Sequence, residues 1–516
     1  MRINLLITLL AFSLSSLYAS DLPSKSLEKS RNKIVSGIVP AVRHWQGGKG
    51  SLSLKAAKIY IAKKQRKRLA SVAKMFQQDL EKADLESYKM TQHKRAKLIV
   101  LKVAKLKESD HKEAYKIHVG KNVTITGNSR TAVFYGTRSL LQMLGQPEAK
   151  GRLPKGTIVD WPDYAHRSLL LDVGRTPFPL PVLYDYLRMM SYYKMNELHL
   201  HLNDDLTHNK HGNDYSGFRV ECKTFPELTS KDLFYSQKEI RKFVKDAKRM
   251  GITVMPEFDM PGHARAFTKI WPELIYMEGG TKPKKGYLDF SNPEAVRRLK
   301  LVLDEMIPLF DSKDIHIGTD EFRVGGWPNG KEFLTLNDAL MNFINDMNKH
   351  VRSKGKNMRI WYGTDHIKSK IKPDKTIVLD IWNLDPATVA RVTPGHRFIN
   401  SCEWASYIVP GVNYYGVNNP LVYQNWNPWN WGGSGSWGKA DATSLKLKNS
   451  QGLMGAKLNV WMDIGPGKVS MQHVFDLIQP SLQVFAEKLW GTKGSENYKK
   501  FSERSGNKLS LAFKSK

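Results

Sequence analysis

The sequence predicts an α/β protein, a parallel (β/α)8 or TIM barrel preceded by a small α+β domain. Three observations predict it. From Ser168 onward short apolar runs alternate with helical patterns, and eight such runs can be counted. The stretch before them mixes strand and helix patterns in a different order. A Gly- and Pro-bearing segment, Lys150 to Asp163, lies between the two, and 516 residues exceed what one compact core usually takes.

Residues 1–19 read as a signal peptide. Arg2 precedes the apolar run Leu5 to Leu14, and Leu17-Tyr18-Ala19 offers a small-residue cleavage site. Export to a periplasmic or extracellular space is therefore expected. No later run is long and apolar enough to span a membrane. The expected first domain covers 20–155. Ser51 to Ala62 reads as a strand, Leu69 to Leu85 as a helix, and Lys97–Val103, Tyr115–Val119 and Val123–Thr126 as further strands. A helix from Arg130 to Leu144 ends at Gly145.

The barrel is expected over 156–495, with strands at Ser168–Val173, Glu197–Leu202, Ile252–Phe258, Ile315–Gly318, Met358–Tyr362, Ile377–Trp382, Arg397–Ser401 and Ala456–Trp461. Its helices carry start signals. Ser236 with Glu239 forms a capping box ahead of a helix that Gly251 stops, and Asn292-Pro293 opens another over Ala295–Phe310. Ser406 to Leu453, rich in Trp, Asn and Gly, is too long for a simple connection and reads as a functional loop or small subdomain. Residues 496–516 read as a basic C-terminal tail.

Composition narrows the partners. Apolar residues make up 41%, enough for real cores, and the formal net charge is +31. The excess is concentrated early: Ser20–Lys155 holds 30 Lys and Arg against 10 Asp and Glu. Such a surface suits an anionic polysaccharide or cell wall, or serves only as a solvated face. No nucleic acid is expected, because no aromatics for base stacking interleave Lys63-Lys64-Gln65-Arg66-Lys67-Arg68. Only Cys222 and Cys402 occur, which excludes a disulfide framework and leaves one bridge or two buried thiols open.

Barrel chemistry gathers at the C-terminal strand ends. The polar residues there are Asp172, Arg175, His199, His201, Asp204, Asp205, Glu257, Asp259, His263, Asp320 and Glu321, and later ends add Trp361, Trp382, Trp461 and Asp463. Acids, one arginine and several tryptophans make a sugar site: carboxylates handle protons and cationic transition states, and indoles stack on pyranose faces. A strand-end acid pair that merely caps a helix, a structural ion pair for Arg175 and core packing for the tryptophans are the plain alternatives.

Four stretches in order on different strand ends resemble glycoside hydrolase family 20, the β-N-acetylhexosaminidases. They are Arg167-Ser-Leu-Leu-Leu-Asp-Val-Gly-Arg175, Lys194-Met-Asn-Glu-Leu-His-Leu-His-Leu-Asn-Asp-Asp205, Pro256-Glu-Phe-Asp-Met-Pro-Gly-His263 and His316-Ile-Gly-Thr-Asp-Glu321. The first domain, ending in Phe134-Tyr-Gly-Thr-Arg-Ser-Leu-Leu-Gln142, is similar to that family's N-terminal domain. The resemblance implies substrate-assisted retention, in which the sugar's own 2-acetamido oxygen attacks the anomeric carbon to give an oxazolinium ion. It implies Glu321 as acid and then base, and Asp320 on the acetamido N–H. It also implies Tyr407 on the acetamido oxygen, Asp204 and His263 as a supporting pair, Arg175 on sugar hydroxyls, and Trp361, Trp382 and Trp461 as walls. No cofactor and no metal are implied. Beside a second carboxylate and partly buried, Glu321 is expected to hold its proton unusually well.

Two departures bear on specificity. Tyr407-Ile408-Val409-Pro410 offers no polar side chain to the sugar's O4 or O6, and Asp463 stands where a glutamate is usual. Terminal β-linked N-acetylglucosamine or N-acetylgalactosamine is the expected substrate. A variant acting on sulfated N-acetylglucosamine, on poly-N-acetylglucosamine or releasing a disaccharide is the alternative within the family. A carbohydrate-binding pseudoenzyme is the alternative of another class.

Overall fold

The computed structural model describes residues 33–94, 96–205, 216–327, 329–412, 416–431, 445–446, 451–491 and 496–506. The expected signal peptide, residues 1–19, lies outside the described residues.

The first domain is a seven-stranded mixed sheet with helices Arg66–Lys82 and Arg130–Leu144 on one face. Period-2 burial explains the sheet: along Tyr115–Val119 and Val123–Gly127 alternate residues are buried, while Lys116, His118, Thr124 and Thr126 face outward. The strand expected over Ser51–Ala62 is instead two, His44–Ser53 and Lys58–Tyr60. They part at Ala56, whose φ is +60. The expected junction is also different. Residues Arg152–Asp160 form a strand that pairs with both His44–Ser53 and Tyr115–Val119, so this sheet runs through residue 155 to Asp160.

The second domain is a closed parallel barrel of eight strands: β1 His166–Asp172, β2 Glu197–His201, β3 Thr253–Glu257, β4 Asp314–His316, β5 Asn357–Tyr362, β6 Val378–Ile381, β7 Phe398–Asn400 and β8 Leu453–Val460. Each pairs in parallel with the next, and β8 closes on β1. Both helix signals form as expected. Ser236 accepts from the Glu239 N–H while Glu239 reaches back to the Ser236 N–H at 2.9 Å. Asn292 accepts from the Glu294 N–H at 2.9 Å. One helix is missing. The β5–β6 connection holds turns only, which leaves Asp365 and His366 at the strand ends.

Apolar positions of the strands face the helices, and much of the lumen is charged. At its base Arg359 clamps Glu197 at 2.8 and 2.9 Å and Asp314 at 2.5 Å. Above it Lys457 lies 2.5 Å from Asp380 and 3.0 Å from His199 Nδ1. Buried charges persist in such a place when each has an opposite partner. Residues 496–506 are not a loose tail: helix Tyr498–Ser505 buries Phe501, and Arg504 pairs with Glu487 at 3.2 Å. Cys222 and Cys402 are both buried free thiols.

Candidate active site

The strand ends bring the predicted residues together. β1 and the turn after it supply Asp172 and Arg175. The Asp172 carboxylate accepts from the Arg175 backbone N–H at 3.0 Å, its guanidinium at 2.9 Å and the Met462 N–H at 3.0 Å, tying the ends of β1 and β8. Arg175 also lies 2.8 Å from Asp204 and 3.7 Å from Asp463.

A chain of alternating acids and imidazoles runs from the lumen to the surface. Glu257, fully buried, sits 2.7 Å from His201 Nδ1, 3.0 Å from His199 and 3.1 Å from His316, and accepts from the Trp361 indole at 2.6 Å. His201 Nε2 reaches Asp204 at 2.5 Å, Asp204 reaches His263 Nδ1 at 2.8 Å, and His263 Nε2 faces Glu321 at 3.4 Å and Asp320 at 3.8 Å. Burial opposes ionisation of Asp204, but Arg175, His263 and His201 outweigh it and hold the carboxylate far below its ordinary range. Burial likewise disfavours a charged His263, yet Asp204 and Glu321 raise it well above the usual imidazole value, so it is an imidazolium at neutral pH.

The acid pair occupies a strained turn after β4. Thr319 and Glu321 have φ of +86 and +52, and His263 opposite has +50, conformations costly for residues other than glycine. Buried contacts enforce them. Asp365 Oδ2 accepts the Glu321 N–H at 3.1 Å, Asp259 accepts the Thr319 N–H at 3.1 Å, and Tyr287 donates to the Glu321 carbonyl at 3.0 Å. Gly318, at φ +68, is required: a Cβ there would stand 1.6 Å from Asp259 Oδ1.

The proton balance reverses the expectation for Glu321. Burial does push it up, but the hydrogen bond and charge of His263, then Arg323 and Arg175, bring it down to about 2. Asp320 is the one raised, to about 6, by burial and by the charges of Glu321 and Glu257 against His263. The neighbouring carboxylate was legible in the sequence, whereas the convergence of these three cations on Glu321 was not.

Trp361, Trp382, Tyr407 and Trp461 form one buried cluster with Leu170 and Val409. Trp382 and Tyr407 lie parallel with centroids 6.5 Å apart, and Trp461 stands 5.9 Å from Tyr407 and 5.6 Å from Trp361. Tyr407-Ile408 pairs in parallel with β8, which holds the ring in place. Val409 joins this cluster, so no polar side chain enters there from that position. Asp463, like Glu321, is among the more open residues of the site, with one-third of its side chain exposed.

Two residues at the site escaped the sequence reading. Arg323 Nη2 lies 2.9 Å from Glu321 Oε1, and Asp365 holds both Arg323 Nε, at 3.3 Å, and the Glu321 N–H. Neither lies in a stretch that carried the family resemblance, and Asp365 follows the end of β5 by three residues. Lys457, Asp380 and Arg359 were findable, as charged residues inside otherwise apolar strands. Among the described residues, sets such as His199–Glu257–His316 and Asp204–Asp205–His263 have the donor types for a metal. Lys457 beside the first and Arg175 beside the second already supply positive charge there.

The family model described as glycosyl hydrolase family 20, catalytic domain, matches residues 164–493, and that described as glycosyl hydrolase family 20, domain 2, matches 35–161. The lacto-N-biosidase of Bifidobacterium bifidum is 30% identical over 369 residues, covering 68% of this chain and 30% of that protein. A β-hexosaminidase of Vibrio furnissii is 28% identical over 352 residues, covering 59% and 55%. The chain thus spans from under a third to about half the length of these two relatives. A Vibrio harveyi exo-β-N-acetylglucosaminidase solved with N-acetylglucosamine superposes with a TM-score of 0.74 at 21% identity, over 92% of this chain and 77% of that one. A Streptomyces plicatus N-acetyl-β-hexosaminidase does so with 0.74 at 21%, over 93% and 95%. At that identity the likeness establishes the shared fold.

Proposed function

The chain belongs to glycoside hydrolase family 20, and from that premise we propose that it is a β-N-acetylhexosaminidase working by substrate-assisted retention. One observation carries this reading: the two candidate carboxylates are sequence neighbours on one strained turn, on the same side of His263. They are poorly placed to flank a glycosidic bond as nucleophile and acid. A substrate that brings its own nucleophile, the 2-acetamido oxygen, removes the need.

In this reading Asp320 holds the acetamido N–H and offsets the charge of the oxazolinium ion, and Tyr407 donates to the acetamido oxygen. The aromatic cluster takes the methyl group, and Arg175 forks onto sugar hydroxyls. Glu321 protonates the leaving oxygen and then deprotonates water. In the free site its proton is stored next door, on the His263 imidazolium 3.4 Å away. A bound sugar that expels water disfavours that ion pair and favours the neutral acid. Glu321→Gln is therefore expected to cut turnover of an N-acetylhexosaminide about 10²–10⁴-fold with the fold intact. Near-normal activity on an unactivated glycoside would remove Glu321 from its role.

Terminal β-linked N-acetylglucosamine or N-acetylgalactosamine is the substrate we put first. A disaccharide-releasing activity is the second reading, favoured by the apolar Ile408-Val409 step and by the lacto-N-biosidase relative. A chromogenic N-acetylhexosaminide that is inert beside an active chromogenic disaccharide would reverse the order. We further propose that the protein is exported and that its basic first domain holds it to anionic polysaccharide.

A further inference from the structure

Glu321 faces two ways. Its Oε2 looks toward His263, and through Asp204 toward Arg175, the sugar-binding candidate, whereas its Oε1 looks toward Arg323 at 2.9 Å. If Glu321 protonates the leaving oxygen, the far side, where Arg323 stands, receives the leaving sugar. We propose that Arg323 and Trp327 form the subsite for that leaving residue and that Arg323 takes an anionic substituent on it, a uronate carboxylate or a sulfate ester. The inference rests on the hexosaminidase reading above.

The guanidinium is held and yet unfilled. Nε donates to buried Asp365 at 3.3 Å, and the group lies 4.5 Å over the Trp327 ring. Nη1 has no acceptor among the described residues, and 32% of the side chain is exposed. A guanidinium carries five donors in a planar fork suited to carboxylate or sulfate oxygens. Trp327 is half-buried, with its indole N–H turned inward, so what it offers a leaving pyranose is a stacking face.

The rim on this side is cationic. The hairpin Ile275–Glu278 and Lys282–Leu288 leans on the same turn, with Lys284 donating to the Arg323 carbonyl and Tyr287 to that of Glu321. Lys282 and Lys285 on it are exposed. Arg323 also bears on the reaction. A guanidinium paired with Glu321 stabilises the carboxylate, which opposes its use as an acid. A substrate anion that draws the guanidinium away leaves Glu321 freer to carry a proton, so recognition of the leaving residue and protonation of the leaving oxygen are coupled.

The test compares kcat/KM for three disaccharides with one N-acetylhexosamine β-linked to glucose, to glucuronate and to glucose 6-sulfate. A neutral aryl N-acetylhexosaminide serves as control. Wild type is expected to favour an anionic leaving residue by about 10–100-fold, as a charge-assisted hydrogen bond allows. Whether the carboxylate, the sulfate or both gain identifies the source. In Arg323→Gln the preference should fall to near unity, and the alkaline limb of kcat/KM on the neutral disaccharide should move to higher pH. Arg323→Lys should keep part of the preference. Equal wild-type rates on all three, with the aryl glycoside cleaved, overturn this proposal alone. A preference that survives Arg323→Gln overturns it too. Failure to cleave any N-acetylhexosaminide, the aryl one included, defeats the activity reading and this inference with it. The wild-type comparison needs no variant to fold.

Discussion

Asp320 and Glu321 share a turn but not a proton affinity. The sequence displayed the pair and its barrel setting, and that sufficed to pick both residues. It did not display His263 Nε2 and Arg323 on opposite oxygens of Glu321, which is why the expected direction of its shift was reversed. Two consequences can be measured. The free-enzyme profile of kcat/KM should rise through about pH 6 as Asp320 ionises, and Asp320→Asn should abolish that limb along with most activity. Stability has its own signature. Folded Asp320 binds its proton up to about pH 6 against an ordinary 3.8, so the folded state holds more protons across that window and loses stability as pH rises through it. Glu321 acts oppositely: held at about 2 against 4.5, its contribution is present above 4.5 and is lost as pH falls toward 2. Above pH 6 the buried Asp320 charge costs on the order of 1–3 kcal/mol. Asp320→Asn should therefore melt higher than wild type at pH 8 and show a flatter Tm profile between pH 4 and 6. A variant that melts lower at pH 8 contradicts this.

At the scale of elements, the eight strands were legible because each is a short apolar run bounded by turn residues. The lumen was less so, since an inward Lys457 or Asp380 reads as an isolated charge until its partner on another strand is known. The β5–β6 connection was missed for a further reason. Repeated βα units suggest a helix there, whereas the segment is spent on turns that present Asp365. Asp365 positions Glu321 rather than touching substrate: it accepts the N–H of a residue in a left-handed conformation and steadies Arg323. Asp365→Ala is expected to lower kcat about 10–100-fold with a smaller change in KM, since slight misplacement of a reacting group costs that much. Asp365→Asn, which keeps an acceptor, should recover part of it. An unchanged kcat in the folded alanine variant would show that the turn holds its shape unaided.

Across the whole molecule, the first domain is locked to the barrel by buried polar contacts. Lys194, before β2, donates to Tyr115 at 2.8 Å and lies 3.3 Å from Asp160, and Asp160 also accepts from the Trp490 indole at 2.8 Å. Gln142 donates to the carbonyls of Val39 at 2.7 Å and Tyr192 at 3.0 Å, which gives the end of the Phe134–Gln142 pattern a joining role. What the domain carries outward is charge. Lys63, Lys64, Lys67 and Arg68 are exposed at the start of helix Arg66–Lys82, and Gln65 exchanges hydrogen bonds with Val103 at 2.9 Å, bringing that run beside the Lys105 and Lys107 segment. Reversing the charge of Lys63, Lys64, Lys67 and Arg68 should lower the salt needed to elute the protein from a sulfated polysaccharide column, because exposed charge is screened within about 8 Å at physiological ionic strength. Unchanged elution would make the run a solvated face only. Whether the substrate supplies the nucleophile can be read by NMR of the first-formed sugar from a β-N-acetylhexosaminide, run beside the same glycoside with a 2-hydroxyl. The β-anomer is expected first, with scarcely any turnover of the 2-hydroxy compound; the α-anomer first, or comparable cleavage of both substrates, would contradict substrate assistance.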